Sequence, residues 1–197
     1  MVLSVELRGH DDGTPVILVV GDSLSSAYGI PVAEGWVARL QRRLEREGYP
    51  YRVVNASISG DTTGGGLARL DAALERHRPA WVLLELGGND GLRGIMPRVT
   101  RDNLEAMVEQ VRAAGARPLL LGIQIPPNYG PVYTRRFAAV FPDVAEAQGV
   151  PLVPFLLEGV AGDPALMQDD GIHPRAAAQG RILDNVWEVL APLLDRG

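Results

Sequence analysis

The sequence predicts an α/β domain, a parallel sheet with helices on both faces. Three observations lead there. Short apolar runs rich in branched residues recur along the chain. Each is followed by a turn and then a stretch with helical spacing of apolar positions. The crossovers this implies are right-handed and bury both faces of the sheet. Finally, several runs end in Gly, Asp, Ser or Asn, which suits turns at the carboxyl ends of strands.

The first run, Val16-Ile17-Leu18-Val19-Val20, stops at Gly21-Asp22-Ser23-Leu24. It is too short to span a membrane and rich in β-branched residues, so it reads as a buried strand. Ser23 falls just beyond a strand end, where open α/β sheets bind their ligands. That makes it a candidate nucleophile. Serine is also a favoured helix N-cap, and this stretch alone does not separate the two.

Pro31 to Glu47 has helical spacing at Val32, Trp36, Val37, Leu40 and Leu44, and ends at Gly48. A second strand is expected over Tyr51 to Asn55, a loop over Ile58 to Thr63, and a helix over Leu67 to Arg76. Ala80 to Leu86 is a third buried strand, ended by Gly87-Gly88-Asn89-Asp90. Thr100 to Ala114 is a helix opened by Thr100 and closed at Gly115. Pro118 to Ile123 is a fourth strand, followed by a loop, Gln124 to Pro131. Val132 to Gln148 is largely helical, with an interruption expected at Pro142. Pro151 to Phe155 is a short fifth strand. Gly159 to Pro174 is irregular, with a short helix expected at Pro164 to Met167, and Ala176 to Leu194 is a terminal helix. With no repeat, low-complexity tract or linker, residues 1–197 are read as a single domain.

Composition narrows the chemistry. The net charge of −5 and pI near 5.2 argue against a nucleic-acid partner. There is no cysteine, which removes disulfides, thiol nucleophiles and thiolate metal sites. There is no lysine either, which removes Schiff-base chemistry and a Ser-Lys dyad. No stretch has the length of a membrane helix. The opening residues 1–15 lack the charged, apolar and small-residue order of a secretory signal.

A serine nucleophile needs a base. Of His10, His77 and His173, the last lies in Asp170-Gly171-Ile172-His173-Pro174. A carboxylate three residues before an imidazole can turn back, hold its tautomer and stabilise its charged form. A capping or solvated histidine is the alternative. Asp169 has the wrong spacing for that turn and reads as a loop carboxylate. Acyl transfer also needs oxyanion donors. Gly60 offers an unhindered backbone N–H and Asn89 a side-chain amide, although each also suits an ordinary turn.

Gly21-Asp22-Ser23-Leu24, Gly60, Gly88-Asn89-Asp90 and Asp170-Gly171-Ile172-His173-Pro174 resemble, in order, the motif blocks of the GDSL or SGNH hydrolases. Within that family, NASISGDTTGGGLARL, WVLLELGGNDGLRG, PPNYG and MQDDGIHP are similar to the bacterial thioesterase I, lysophospholipase and arylesterase group. The resemblance implies a three-layer α/β/α flavodoxin-like fold with a five-stranded parallel sheet. It implies Ser23 as nucleophile, His173 as base and Asp170 as its orienting partner. The oxyanion hole it implies is the N–H of Ser23, the N–H of Gly60 and the side chain of Asn89. Asp22 is given a structural or site-shaping role.

The expected reaction is hydrolysis of esters and thioesters through an acyl-serine, with a small-molecule acyl substrate and no metal or organic cofactor. An acyltransferase using the same acyl-serine, and a non-catalytic lipid- or carbohydrate-binding module of the same fold, are the alternatives. Leu24, Ile125, Pro126, Tyr129 and Ile172 are the candidate substrate-binding residues, since they flank the site in sequence. Glycines on both sides of Leu92-Arg93 suit either a moving cover or a rigid connector. A monomer or small homo-oligomer is expected. Members of the group are often periplasmic, so the periplasm is expected if a signal has been removed, and the cytoplasm otherwise.

Overall fold

The structure is a computed structural model and describes residues 13–196. The opening residues 1–12, including His10 and most of the stretch searched for a signal, lie outside it. Strands β1 (Val16–Gly21), β2 (Arg52–Asn55), β3 (Trp81–Glu85), β4 (Arg117–Leu121) and β5 (Leu152–Val153) form one parallel sheet. Its order is β2-β1-β3-β4-β5. The chain steps one way from β1 to β2 and the other way to β3, so the switch point lies between β1 and β3, where such sheets open a crevice.

Helices cover the sheet in two outer layers. Helix α1 (Trp36–Arg46) packs on α7 (Gln179–Leu190). Helix α2 (Thr63–His77) packs on α4 (Pro97–Ala113), and α4 on α6 (Val140–Gln148). The short helices α3 (Gly88–Leu92) and α5 (Pro131–Ala138) sit at the rim. Every residue of β1 and β3 is buried, and apart from Gly21 and Glu85 at their carboxyl ends both are apolar runs. Trp36, Leu40 and Leu44 bury one stripe of α1, as their spacing requires. Among the described residues, no helix is long and apolar enough to cross a membrane.

Several boundaries differ from expectation, each for a local reason. The chain after Ser23 forms irregular turns rather than a helix, and the expected helix from Pro31 starts at Trp36 after a 3-10 turn. Helix α2 starts at Thr63, within the expected loop. Its glycines allow close approach to the sheet, since a Cβ on Gly66 would lie 2.2 Å from Leu86 Cδ1. Thr100 does not open α4: Met96 is the cap, Pro97 takes the first helical position, and Thr100 is buried against Asp90. The break after α5 falls at Ala139, and Pro142 sits in the first turn of α6, where prolines are tolerated.

Strand β5 keeps only two residues, between Pro151 and Pro154, which lack donors. Pro164 to Met167 forms turns, with the Asp163 carboxylate accepting from Ala165 N, followed by an antiparallel bridge between Met167 and Pro174. The terminal helix is α7, flanked by 3-10 turns at Ala176–Ala178 and Ala191–Leu193.

Candidate active site

The site lies at the carboxyl rim of the sheet, over the switch point. Ser23 follows β1. Its Oγ stands 2.9 Å from His173 Nε2, so its hydroxyl faces an imidazole and does not cap a helix. His173 Nδ1 stands 2.6 Å from Asp170 Oδ2. The other carboxylate oxygen, Oδ1, accepts from Ile172 N and His173 N at 2.9 and 3.0 Å, which closes the turn that brings the acid back onto the ring. Burial alone would raise the Asp170 pKa, but hydrogen bonds from His173 and Ile172 outweigh it and hold the group at about 2. Asp169 points away and pairs with Arg175 at 2.7 Å. His77 ends α2, on a different part of the chain.

A second interaction holds the His173 ring. Tyr28 stacks against the His173 ring, with centroids 4.4 Å apart and planes tilted by 40°. Gln168 Nε2 donates to Tyr28 O at 2.9 Å and to Pro174 O at 3.1 Å, clipping the loop that carries His173 to the loop that carries Ser23.

Asn89 follows β3 on helix α3. Its Nδ2 donates to Asp22 Oδ2 at 3.0 Å, while Asp22 Oδ1 accepts from Leu24 N at 3.0 Å. Burial raises the Asp22 carboxyl to about 6, against the hydrogen bonds from Leu24 and Asn89 and the charge of His173. Beside Asn89, Asp90 is buried and accepts from Thr63 N, Thr63 Oγ1 and Thr100 Oγ1, fastening α3 to α2 and α4. Tyr133 Oη donates to Gly91 O and Ile95 O, so the glycine-flanked segment is pinned from α5.

The loop after β2 carries Gly60, whose φ of +81° favours glycine. This loop continues the sheet's pairing onto the end of β1 through Ala56 N to Val19 O and Ile58 N to Gly21 O. Arg69 reinforces it, donating to Asp61, to Ala56 O and to Gly21 O. Arg93 Nη2 donates to Gly60 O at 2.8 Å.

A cavity of about 470 Å³ opens beside Ser23, Asn89 and His173. Leu24, Ile125, Pro126 and Ile172 line it, together with Leu92, Phe155, Leu157 and Met167. Tyr129 does not: it lines a neighbouring concavity with Met96, Pro97 and Val132. Gly60 is exposed beside Arg93 and is not among the residues lining this cavity.

Sequence reasoning missed Tyr28, Glu85, Arg69 and the groove residues after β5. Glu85 alone left a signal, as an acid inside the apolar run WVLLEL.

Chemically, the arrangement joins a hydroxyl to an imidazole whose far nitrogen meets a carboxylate, beside an amide donor and an apolar cavity. Residues 19–181 match the GDSL-like lipase/acylhydrolase family. The chain is 56% identical over 192 residues to esterase TesA of Pseudomonas aeruginosa, which spans 98% of this chain and 96% of that protein. It is 48% identical over 179 residues to thioesterase 1/protease 1/lysophospholipase L1 of Escherichia coli strain K12, spanning 91% and 85% of the two. A crystal structure of TesA superposes with a TM-score of 0.89 at 59% identity, covering 91% of this chain and 99% of that one.

Proposed function

The chain belongs to the GDSL-like lipase/acylhydrolase family and is a hydrolase of esters and thioesters; we propose that it works through an acyl-enzyme on Ser23. The observation that carries this reading is the 2.9 Å approach of Ser23 Oγ to His173 Nε2, with Asp170 on the other ring nitrogen.

In the first half-reaction His173 Nε2 takes the Ser23 proton as Oγ attacks the carbonyl carbon. The tetrahedral oxyanion is met by Ser23 N–H, Gly60 N–H and Asn89 Nδ2. Asp170 stabilises the imidazolium through Nδ1–H and stays ionised, in keeping with a pKa near 2. The imidazolium then gives its proton to the leaving alcohol or thiol as the carbon–oxygen or carbon–sulfur bond breaks. Water enters, and His173 takes a proton from it as its oxygen bonds to the acyl carbon. The imidazolium returns that proton to Ser23 Oγ as the carbon–Oγ bond breaks and the carboxylic acid leaves.

The acyl group is assigned to the apolar cavity walled by Leu24, Ile125, Pro126 and Ile172. What supports a range including thioesters and lysophospholipids is the name of the Escherichia coli relative. Tyr129, in the adjoining concavity, is assigned to a part of the substrate outside that cavity.

A fluorophosphonate probe tests the nucleophile. The parent protein should be labelled at Ser23 and release a burst of product from an activated ester. Ser23→Ala should do neither, and labelling that survives in it removes Ser23 from the role.

A further inference from the structure

Beneath the Ser23 turn lies a carboxyl that acyl transfer, as described, does not use. Glu85 ends β3 and is fully buried, while the other residues of that strand are apolar. Its register partner across the sheet is Gly21, at the end of β1. A Cβ on Gly21 would lie 2.6 Å from Glu85 Oε2 and 2.9 Å from Ser25 Oγ, so the missing side chain makes room for the acid.

The carboxyl grips both sides of the nucleophile. Glu85 Oε2 accepts from Asp22 N at 3.2 Å and from Ser25 Oγ at 2.6 Å. Ser25 O in turn accepts from Asn55 Nδ2 at 2.8 Å, tying the turn to the end of β2. The Asp22 carboxylate holds Leu24 N and Asn89 Nδ2. Ser23 therefore stands between residues fastened to Glu85, and Asn89 hangs from one of them.

Stability does not explain an acid here. Among the described residues no cation pairs with Glu85, and its Oε1 has no hydrogen-bond partner. A buried carboxyl so placed is unfavourable beside an apolar side chain of similar size. Burial first, and then the neighbouring Asp22 charge, push its pKa well above the carboxylate range.

We propose that Glu85 is a positioning residue for acyl transfer, setting the approach of Ser23 and the aim of the Asn89 amide through the turn from Asp22 to Ser25. This rests on the acyl-serine reading above.

The test is steady-state kinetics of Glu85→Leu and Glu85→Gln, each also made in the Asn89→Ala background, with phosphonate labelling and melting curves alongside. Glu85→Leu should lower kcat by about 10- to 100-fold, the scale of a misplacement near 1 Å. KM should stay near the parent's. Glu85→Gln, whose carbonyl still accepts from Asp22 N and Ser25 Oγ, should recover most of that loss. In the Asn89→Ala background the leucine replacement should be less harmful, because the part of the loss that runs through the Asn89 amide is already gone.

Parental kcat in Glu85→Leu, or equal fold-losses in both backgrounds, would overturn the proposal. If the leucine variant does not fold, Ser25→Ala cuts the same tie from its other end. A fall in kcat at constant KM then supports the role, and parental kcat refutes it. Labelling of Ser23→Ala separates the two failures: a labelled Ser23→Ala sinks the acyl-serine reading itself. An inert Ser23→Ala beside an unimpaired Glu85→Leu sinks only the positioning role.

Discussion

Replacing Asp22 by asparagine should make the protein more stable above pH 6 and slower in turnover. Asp22 is buried, and its carboxyl is raised from 3.8 to about 6, chiefly by burial. Between those two values the folded protein binds a proton that the unfolded chain releases. The group's stabilising contribution is therefore complete below pH 3.8 and is lost as pH rises through 6. At pH 7.5 holding it ionised in the fold costs about 3 kcal/mol relative to a neutral group.

Asparagine removes that cost. It also turns a donor toward Asn89 Nδ2, forfeiting one hydrogen bond worth about 1 kcal/mol. The net gain at pH 7.5 is about 2 kcal/mol, or a rise in Tm of roughly 4–8 °C for a chain of this size. At pH 4 the gain should vanish. Glu85, Asp61 and His173 face the same carboxyl, and Glu85 adds a slope of the same sign, so the comparison is between variant and parent at each pH. The Asn89 amide loses its anchor, so kcat should fall by roughly tenfold or more. Melting curves at pH 4, 5, 6 and 7.5, with kcat at the last, read out both effects. An equal stability gain at pH 4 and 7.5, or a loss at 7.5, would refute the reasoning.

Other expectations follow from the site's geometry. Asn89→Ala should lower kcat by about 100- to 1,000-fold with KM little changed, the usual effect of losing one oxyanion donor; an unchanged single-turnover rate would exclude it from that role. Ile125→Ala should reduce kcat/KM for C12 esters roughly tenfold and leave C4 esters almost untouched, since a few methylene contacts at about 0.8 kcal/mol each are lost. A uniform loss along the series, with a lower Tm, would make Ile125 a packing residue. Tyr28→Leu should slow turnover about fivefold through loss of the ring that faces the imidazolium, a contact worth about 1 kcal/mol, while Tyr28→Phe should not; equal losses in both would point away from the ring.

The parts of the fold legible in the sequence were those set by local pattern. The β1 and β3 runs are apolar up to their carboxyl ends because both their faces are covered. The Asp170–His173 pairing was legible because three residues close a turn. What stayed hidden depends on approaches between distant segments. Glycines 64–66 look like a loop by propensity, yet they form the first turn of α2, capped by Thr62 Oγ1 on Gly65 N, and Gly66 leaves the room that Leu86 takes. Arg69 lies well down α2 and gives no local hint that it ties the Gly60 loop to β1. Tyr129 shares a loop with Ile125, but the 3-10 turn at Pro127–Tyr129 carries it into the neighbouring concavity.

Strand order has a consequence for how such an enzyme can change. Ser23, Gly60 and Asn89 follow β1, β2 and β3, three strands adjacent on one side of the sheet. Ile125 and Pro126 follow β4, while Phe155 and Leu157 follow β5, on the other side. Asp170 and His173 also lie on the segment after β5, so the territory free of the proposed reaction groups is the loop after β4. The loop after β4 can drift in shape and length, altering which acyl groups are admitted, without disturbing the atoms proposed to break the bond.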